Sequence, residues 1–314
     1  MLRKIENRTV EILVALLACL PLLVKILQDF LHVVIPDSEA VLVNIVFIFA
    51  CFAGVITFQE KRHLSLASLM DNAPEKVKAV LSKIRSLAVS AVLTSLFFDS
   101  LCQLVNPSQL VNTVWHIPLK FIFAFLPLCY LSLLVSSCKE NKIYSLSGFV
   151  LGLLISTGTI AGSLYYALKI ENLSFLYSIN DIWISVSQFL LLPLVICFIL
   201  LAFIGVPLFI VIAGISYVAF SQAGGYVDVI PLETYRILTD NSVAAIPLFT
   251  IAGYILSKGS AGKRFVELFD ALFGWFRGGT VVASVLVMAF FSTFTGVSGV
   301  TILALGSLLS LILT

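Results

Sequence analysis

Hydroxyl-bearing residues and glycines interrupt the last apolar run of the chain, FFSTFTGVSGVTILALG, at positions 290–306. The candidate ligand residues in this stretch are Ser292, Thr295, Gly296, Ser298, Gly299 and Thr301. Hydroxyls and main-chain carbonyls are oxygen ligands suited to a hard cation such as Na⁺, which is the only bound ion that the pattern predicts. The structural alternative is that small residues here allow close helix packing.

The elements around these residues favour the ion site. Each half of 279–314, divided at the glycines, has about 14–17 residues, whereas a crossing helix needs about 20. We therefore predict a re-entrant hairpin whose tip lies at mid-membrane, where broken helices are tolerated only beside a cavity. Carbonyls ending the first half suit Na⁺, and N–H groups starting the second suit a carboxylate.

The amino-acid composition indicates whether the chain folds in water or in a membrane. Of its 314 residues 60% are hydrophobic and 11% are charged, against about 25% charged in a soluble domain. We predict an all-α, polytopic membrane protein embedded in the lipid bilayer. The net charge of +2 is spread over short loops and does not indicate nucleic-acid binding, and the six cysteines lack a metal-ligand spacing.

Hydropathy predicts a series of apolar segments. These lie near 10–31, 40–58, 86–105, 119–137, 145–168, 188–222, 244–257 and 279–314. The positive-inside rule places the N-terminus in the cytoplasm, because Lys and Arg are concentrated before the first segment and at 59–85,. The connections 32–39 and 106–118 contain neither Lys nor Arg and are assigned to the outside.

The segment 188–222 is too long for one ordinary crossing, at about 52 Å if it were a single helix. Gly205-Val206-Pro207 stands at its centre, and proline disfavours a continuous helix,. One long tilted helix and two helices joined by a tight turn remain open. The two-helix arrangement is preferred because it places most basic residues, including Lys258 and Arg277, in the cytoplasm.

These boundaries divide the chain into three parts. Residues 1–144 form a four-helix unit, 145–187 a connecting helix with an outside linker, and 188–314 a second unit. Within the last part, apolar positions at helical spacing in 259–277 predict an amphipathic helix lying in the membrane interface. Those positions are Phe265, Leu268, Phe269, Leu272, Phe273 and Phe276.

The ionisable residues that lie deepest inside the predicted spans of the first unit are Lys25 and Asp99. Intramembrane charges are costly and usually paired, and both are expected at a similar depth, so we predict a structural Lys25–Asp99 ion pair rather than a proton path. The sequence Gly296-Val297-Ser298-Gly299 also matches the G-x-S-G of intramembrane serine proteases. No histidine is expected near it to activate Ser298, so no enzymatic activity is predicted.

Several motifs together resemble tripartite ATP-independent periplasmic (TRAP) transporters. TFQEKRHLSLASLMDNAP at 57–74 is similar to a loop of the small (DctQ-type) membrane subunit. The segments 204–214, 244–259, 262–279 and 291–309 are similar, in this order, to the large (DctM-type) subunit. The chain thus resembles a small subunit fused to the N-terminal part of a large one.

The resemblance implies sodium-coupled uptake of an organic acid across the bacterial inner membrane. A periplasmic substrate-binding protein would deliver the carboxylate, and an elevator-type transport domain would carry it with Na⁺. The residues named above in the hairpin tip would belong to the sodium and substrate site. The segment 188–314 corresponds to the first inverted repeat, so the remainder of the large subunit is an expected partner. The alternative is a membrane scaffold that does not transport and acts only with a second polypeptide.

Overall fold

A computed structural model describes 2–32, 37–66, 74–105, 113–139, 141–168, 174–222, 229–258, 264, 267–268, 271–273, 275 and 278–295. The named helices are α1 (Leu2–Leu31), α2 (Ser38–Gln59), α3 (Glu75–Val105), α4 (Leu119–Phe123), α5 (Phe125–Cys138), α6 (Lys142–Leu168), α7 (Ser174–Phe203), α8 (Leu208–Gln222), α9 (Val229–Leu238), α10 (Asn241–Lys258) and α11 (Gly279–Thr295). The strands β1 (Thr113–Val114) and β2 (Ile117–Pro118) form one short antiparallel hairpin.

The prediction of an all-α polytopic membrane protein is confirmed. Within the described part of the chain, six segments are long and apolar enough to cross a membrane. They are Arg8–Phe30, Ser38–Gln59, Glu75–Val105, Leu119–Cys138, Lys142–Ile160 and Ser178–Phe203. Two shorter apolar helices follow at Leu208–Gln222 and Asn241–Ala252.

The chain separates into two compact units. Unit 1 comprises Met1–Glu11 and Phe47–Ile237, and unit 2 comprises Ile12–Val46 and Leu238–Thr314. In unit 1, α3 is the central element, since 67% of the residues in its most apolar 18-residue stretch are buried. Val92, Leu93 and Leu96 of α3 lie in one core cluster with Leu134 of α5 and Ile210 of α8.

Helices α3 and α6 approach each other most closely at two glycines of α6. A Cβ atom added to Gly148 would lie 2.4 Å from the Leu87 carbonyl oxygen, and one added to Gly152 would lie 2.4 Å from that of Ala91. Only glycine fits at such distances. Gly148 and Gly152 form a G-x-x-x-G pattern, the small-residue spacing that lets membrane helices pack backbone to backbone.

Hydroxyl groups on the same faces connect α3 to its neighbours. The Ser90 and Ser137 Oγ atoms lie 3.1 Å apart between α3 and α5. Ser95 Oγ donates to the Gly152 carbonyl at 3.3 Å, across the α3–α6 contact. These hydrogen bonds add to packing, because a buried hydroxyl in an apolar interior needs a partner.

The preferred two-helix form of 188–222 is confirmed. Helix α7 ends at Phe203, α8 begins at Leu208, and Gly205 between them has φ +89°, a conformation that glycine adopts without steric cost,. The Leu208 N–H donates to the Leu64 carbonyl at 3.0 Å, and Ser65 forms a β-bridge with Pro207. The turn between α7 and α8 therefore lies on the same side of the membrane as the basic loop that follows α2.

Other helix boundaries differ from those predicted. Helix α7 begins at Ser174, so the predicted outside linker 169–187 is helical from that residue onward. Apolar residues such as Ile182, Trp183 and Ile184 accompany one carboxylate, Asp181, and let the span start at Ser178. Helix α3 likewise begins at Glu75, eleven residues before the predicted span, with a charged first portion.

Candidate transport site

Helix α11 of unit 2 carries the first part of the predicted hairpin. It runs over 17 residues, Gly279–Thr295, or about 25 Å at 1.5 Å per residue. It packs against α10 and buries Ser284 and Val287, while Val281 and Val285 are exposed. The described residues of this segment end at Thr295, so the re-entrant half-helix on the N-terminal side of the tip stays a prediction.

The predicted ligand residues divide into two groups. Ser292 is half-buried in the last turns of α11, and Thr295 is the final residue of that helix. The others, Gly296, Ser298, Gly299 and Thr301, lie outside the described residues, as does the second half of the hairpin. Sodium and substrate binding by this tip stays a prediction.

Thr293, between the two described candidates, has a local role. Its Oγ1 donates to the Ala289 carbonyl at 2.9 Å, one turn earlier in α11, and the residue is exposed. Threonine commonly forms this bond within helices, and the Thr293 side chain is exposed, unlike that of the half-buried Ser292. Thr293 is therefore a suitable control for its neighbours.

Helix α10, the partner of α11, begins with a capping carboxylate. Asp240 immediately precedes α10 and accepts a hydrogen bond from the Ser242 N–H at 2.8 Å. The Ser242 hydroxyl bonds the same oxygen. These two bonds lower the pKa of Asp240, because they stabilise its ionised form,. Pro247 lies inside α10 and removes the hydrogen bond that would reach the Val243 carbonyl,.

The predicted interfacial helix at 259–277 is only partly described. Arg264, Glu267, Leu268 and 271–273 are helical, and Leu268 and Leu272 are exposed apolar residues. Phe265, Phe269 and Phe276 lie outside the described residues. The interfacial location stays a prediction.

A cluster of hydrogen-bonded polar side chains is buried in unit 1 around Asp99. The Asp99 side chain is fully buried, and its Oδ1 accepts from Thr159 Oγ1 at 3.4 Å. Thr159 Oγ1 lies 2.7 Å from the Tyr217 hydroxyl. The group, here called the Asp99 cluster, thus joins α3, α6 and α8, three helices distant in sequence.

Lys25 has a different neighbour. Its Nζ lies 3.3 Å from Asp29 Oδ1, one turn later in α1, and both side chains are more than half exposed. Lys25 belongs to unit 2 and Asp99 to unit 1. The Lys25–Asp99 ion pair stays a prediction, while the described partners of the two residues are Asp29 and Thr159.

Sequence reasoning did not identify Thr159 and Tyr217. Neither residue is charged. Thr159 lies 60 positions after Asp99 and Tyr217 lies 58 positions after Thr159, so no local pattern links the three. The G-x-x-x-G at Gly148 and Gly152 was the available signal, because it marks the face of α6 that packs closely against another helix. Thr159 follows two turns beyond Gly152 on that face.

Fold and site together define a polytopic helical membrane protein with a half-length helix ending in hydroxyl-bearing residues. Two family models match it in succession. Residues 16–141 match the DctQ component, and residues 195–312 match the DctM component, of tripartite ATP-independent periplasmic transporters. The chain belongs to the TRAP transporter permeases and contains segments of both components, as the resemblance predicted.

Individual relatives support this assignment. The C4-dicarboxylate TRAP transporter large permease protein DctM of Vibrio cholerae is 39% identical over 67 residues, 21% of this chain and 15% of the relative. The Rhodobacter capsulatus protein of the same name is 31% identical over 83 residues, 26% of this chain and 19% of the relative. The isethionate TRAP transporter permease protein DctMQ of Oleidesulfovibrio alaskensis is 21% identical over 271 residues, 84% of this chain.

The matches cover less than half of each relative. The largest share is 40%, for the isethionate permease, whose name combines the two components. Residues 142–194 of this chain lie between its two matched segments and contain α6 and most of α7. The three-part division at 144 and 187 stays a prediction, since the compact units follow a different boundary.

Proposed function

We propose that this chain is part of the permease of a sodium-coupled TRAP transporter that takes up an organic acid. One observation carries the proposal: DctQ-type and DctM-type segments occur in this order in a single membrane chain. The names of the relatives, which specify C4-dicarboxylates and isethionate, support a small organic anion as substrate.

Contacts within unit 1 support a scaffold built from both segments. Helix α3 of the DctQ-type segment packs against α6, and α8 of the DctM-type segment packs against α7 and α3. The Asp99 cluster adds polar contacts among α3, α6 and α8. In the proposed elevator mechanism such a scaffold stays fixed in the bilayer while the transport domain moves.

Sodium coupling rests on the chemistry of the hairpin tip. Ser292 lies in the last turns of α11 and Thr295 is its final residue. The last main-chain carbonyls of a helix lack helical partners. Helix C-terminal carbonyls and hydroxyls are the ligands that transporters use for Na⁺, while a following helix N-terminus suits a carboxylate. The second part of this site would come from the tip residues after Thr295 and from the remainder of the large subunit.

The remaining partner is a periplasmic substrate-binding protein, which would deliver the anion to the outer face. The test is uptake of radiolabelled isethionate, succinate and fumarate into proteoliposomes. They would contain this chain, the remainder of the large subunit and the periplasmic binding protein of the same transporter. We expect uptake of at least one anion under an inward Na⁺ gradient and little under a matched K⁺ gradient.

The outcomes separate the parts of the proposal. Equal uptake with either cation would refute sodium coupling alone. No uptake of any organic anion by the complete set, with all components shown to assemble, would refute transport and favour the scaffold alternative. Omitting this chain from the set is the control, and it should abolish uptake.

A further inference from the structure

A long apolar cavity lies inside unit 1, with a volume of about 220 Å³. One face of α7 forms a wall, on which Trp183, Val186, Leu190, Leu194 and Leu201 recur every three, four or seven residues. From Trp183 to Leu201 this face is about 27 Å long at 1.5 Å per residue. Helices α3, α6 and α8 supply the remaining, mainly aliphatic, lining. We call this cavity the α7 groove.

Two polar atoms of the lining lack a partner. Trp183 Nε1 and Ser221 Oγ are both buried, and neither has a hydrogen-bond partner among the residues that the structure describes. Ser221 is fully buried. A buried unpaired donor costs free energy that a ligand with an acceptor oxygen would recover. The α7 groove is thus an apolar channel whose lining includes two side chains that each carry an unpaired hydrogen-bond donor.

The position of Trp183 is fixed by a glycine. A Cβ atom on Gly158 of α6 would lie 3.0 Å from Cγ and Cδ2 of the Trp183 indole, so the ring packs directly on the α6 backbone. Trp183 also lies close to the start of the candidate span Ser178–Phe203. Tryptophan prefers the membrane interface, the level at which the ester groups of phospholipids are found.

The groove is open toward the surrounding membrane. Val186 and Cys197 line it and are nevertheless exposed, and both belong to the same candidate span. An apolar surface that is exposed within a membrane span contacts the acyl chains of lipids. The surface of the groove is almost entirely apolar, which excludes a hydrophilic solute.

We propose that the α7 groove binds one acyl chain of a bilayer phospholipid. The chain lies along the α7 face, and its ester carbonyl oxygen accepts hydrogen bonds from Trp183 Nε1 and the Ser221 hydroxyl. The bound chain fills the space among α3, α6, α7 and α8 and acts as a structural lipid of unit 1. This assignment is independent of the transported substrate.

The test measures quenching of Trp183 fluorescence by phosphatidylcholine with brominated acyl chains. The full chain is purified in detergent with Trp115→Phe and Trp275→Phe, which leaves Trp183 as the single tryptophan. We expect saturable quenching that unbrominated phosphatidylcholine competes away. A chain with Trp183→Phe and Trp275→Phe, which retains the exposed Trp115, should show only weak quenching that does not saturate.

Two serines of α7 form a matched pair for blocking the groove. Ser187 is buried in the lining and donates to the Ile184 carbonyl at 2.8 Å. Ser185 is exposed and donates to the Asp181 carbonyl at 2.9 Å. Ser187→Leu should raise the half-saturating lipid concentration at least about fivefold, whereas Ser185→Leu should leave it unchanged. Ser221→Ala, a smaller change, should raise it about fivefold through the lost hydrogen bond, and it decides the matter if Ser187→Leu does not fold.

Three results would overturn the proposal. One is quenching of Trp183 that rises without saturation, as for Trp115. Another is saturable quenching that neither Ser187→Leu nor Ser221→Ala weakens in folded protein. The third is equal half-saturation with a brominated alkyl detergent, which would show that any alkyl chain enters and that the ester is not recognised.

Discussion

The hydroxyl oxygens of Thr159 and Tyr217 lie 2.7 Å apart in the interior of unit 1, and the same Thr159 oxygen lies 3.4 Å from Asp99. The contact joins α6 to α8, which are separated by α7 in sequence. Polar contacts between buried helices hold one specific arrangement, because each group left alone would be unsatisfied in an apolar interior.

Removing this contact should destabilise unit 1. Tyr217→Phe leaves the Thr159 hydroxyl with one hydrogen-bond partner fewer, and Thr159→Val does the same to the Tyr217 hydroxyl and the Asp99 carboxylate. We expect each substitution to lower the free energy of unfolding by about 1–3 kcal/mol. The double variant should cost less than the sum, with a coupling of about 0.6 kcal/mol, the usual value between membrane helices. SDS-induced unfolding of the four proteins measures this, and strict additivity would contradict a direct hydrogen bond.

Glycine at position 152 should be required for the α3–α6 contact. Its added Cβ would lie 2.4 Å from the Ala91 carbonyl oxygen, so Gly152→Ala forces the helices apart. We expect a loss of about 1–3 kcal/mol in the free energy of unfolding. Gly54→Ala in α2 is the matched control, since a Cβ there meets nothing within 4 Å. Equal effects of the two substitutions would refute close packing as the cause.

Sodium dependence should identify the ligands at the end of α11. In the uptake assay, Ser292→Ala and Thr295→Val should each raise the Na⁺ concentration for half-maximal transport about tenfold, which corresponds to about 1.4 kcal/mol. Thr293→Val should leave this concentration nearly unchanged, because the Thr293 side chain is exposed rather than half-buried like that of Ser292. A larger effect at Thr293 than at its two neighbours would place the Na⁺ ligands elsewhere.

The cap of α10 should make stability depend on pH. The bonds from Ser242 lower the pKa of Asp240, so its contribution is fully present above the unfolded-state pKa of about 3.9,. That contribution is lost as the pH falls through the lower folded-state pKa. We expect the difference in melting temperature between the natural protein and Asp240→Asn to change between pH 5 and pH 3. Asparagine caps helices without a charge, so a constant difference would show that the charge is immaterial.

Cysteine labelling should confirm the topology. Leu64 and Trp115 are both exposed, in the loop after α2 and in the turn between β1 and β2. In a protein without its six natural cysteines, Leu64→Cys should react only from the cytoplasmic side and Trp115→Cys only from the outside. The opposite pattern would invert the whole topology, since the positive-inside rule alone sets the direction.

A cysteine at Val227 tests whether 188–222 crosses the membrane twice. It should also react from the outside.

Local properties of the sequence were sufficient for much of the fold. Apolar length located the spans, and Gly205 with Pro207 placed the turn between α7 and α8, because backbone restrictions act on neighbouring residues. The boundaries of α7 were less predictable. Charged or polar residues at the end of a span do not stop a helix, and α7 continues back to Ser174 through residues assigned to a linker.

The partners of buried polar residues depended on tertiary structure. The sequence by itself determined that Asp99 lies inside a membrane helix and needs a partner. It also predicts that the last apolar run divides into two half-length segments, and this stays a prediction. Only the packed helices decided that Thr159 and Tyr217 meet Asp99 and that Trp183 lies on Gly158 at the edge of the α7 groove. The physical reason is that hydropathy and helix length are properties of a single segment, whereas a hydrogen bond depends on which faces of distant helices come together.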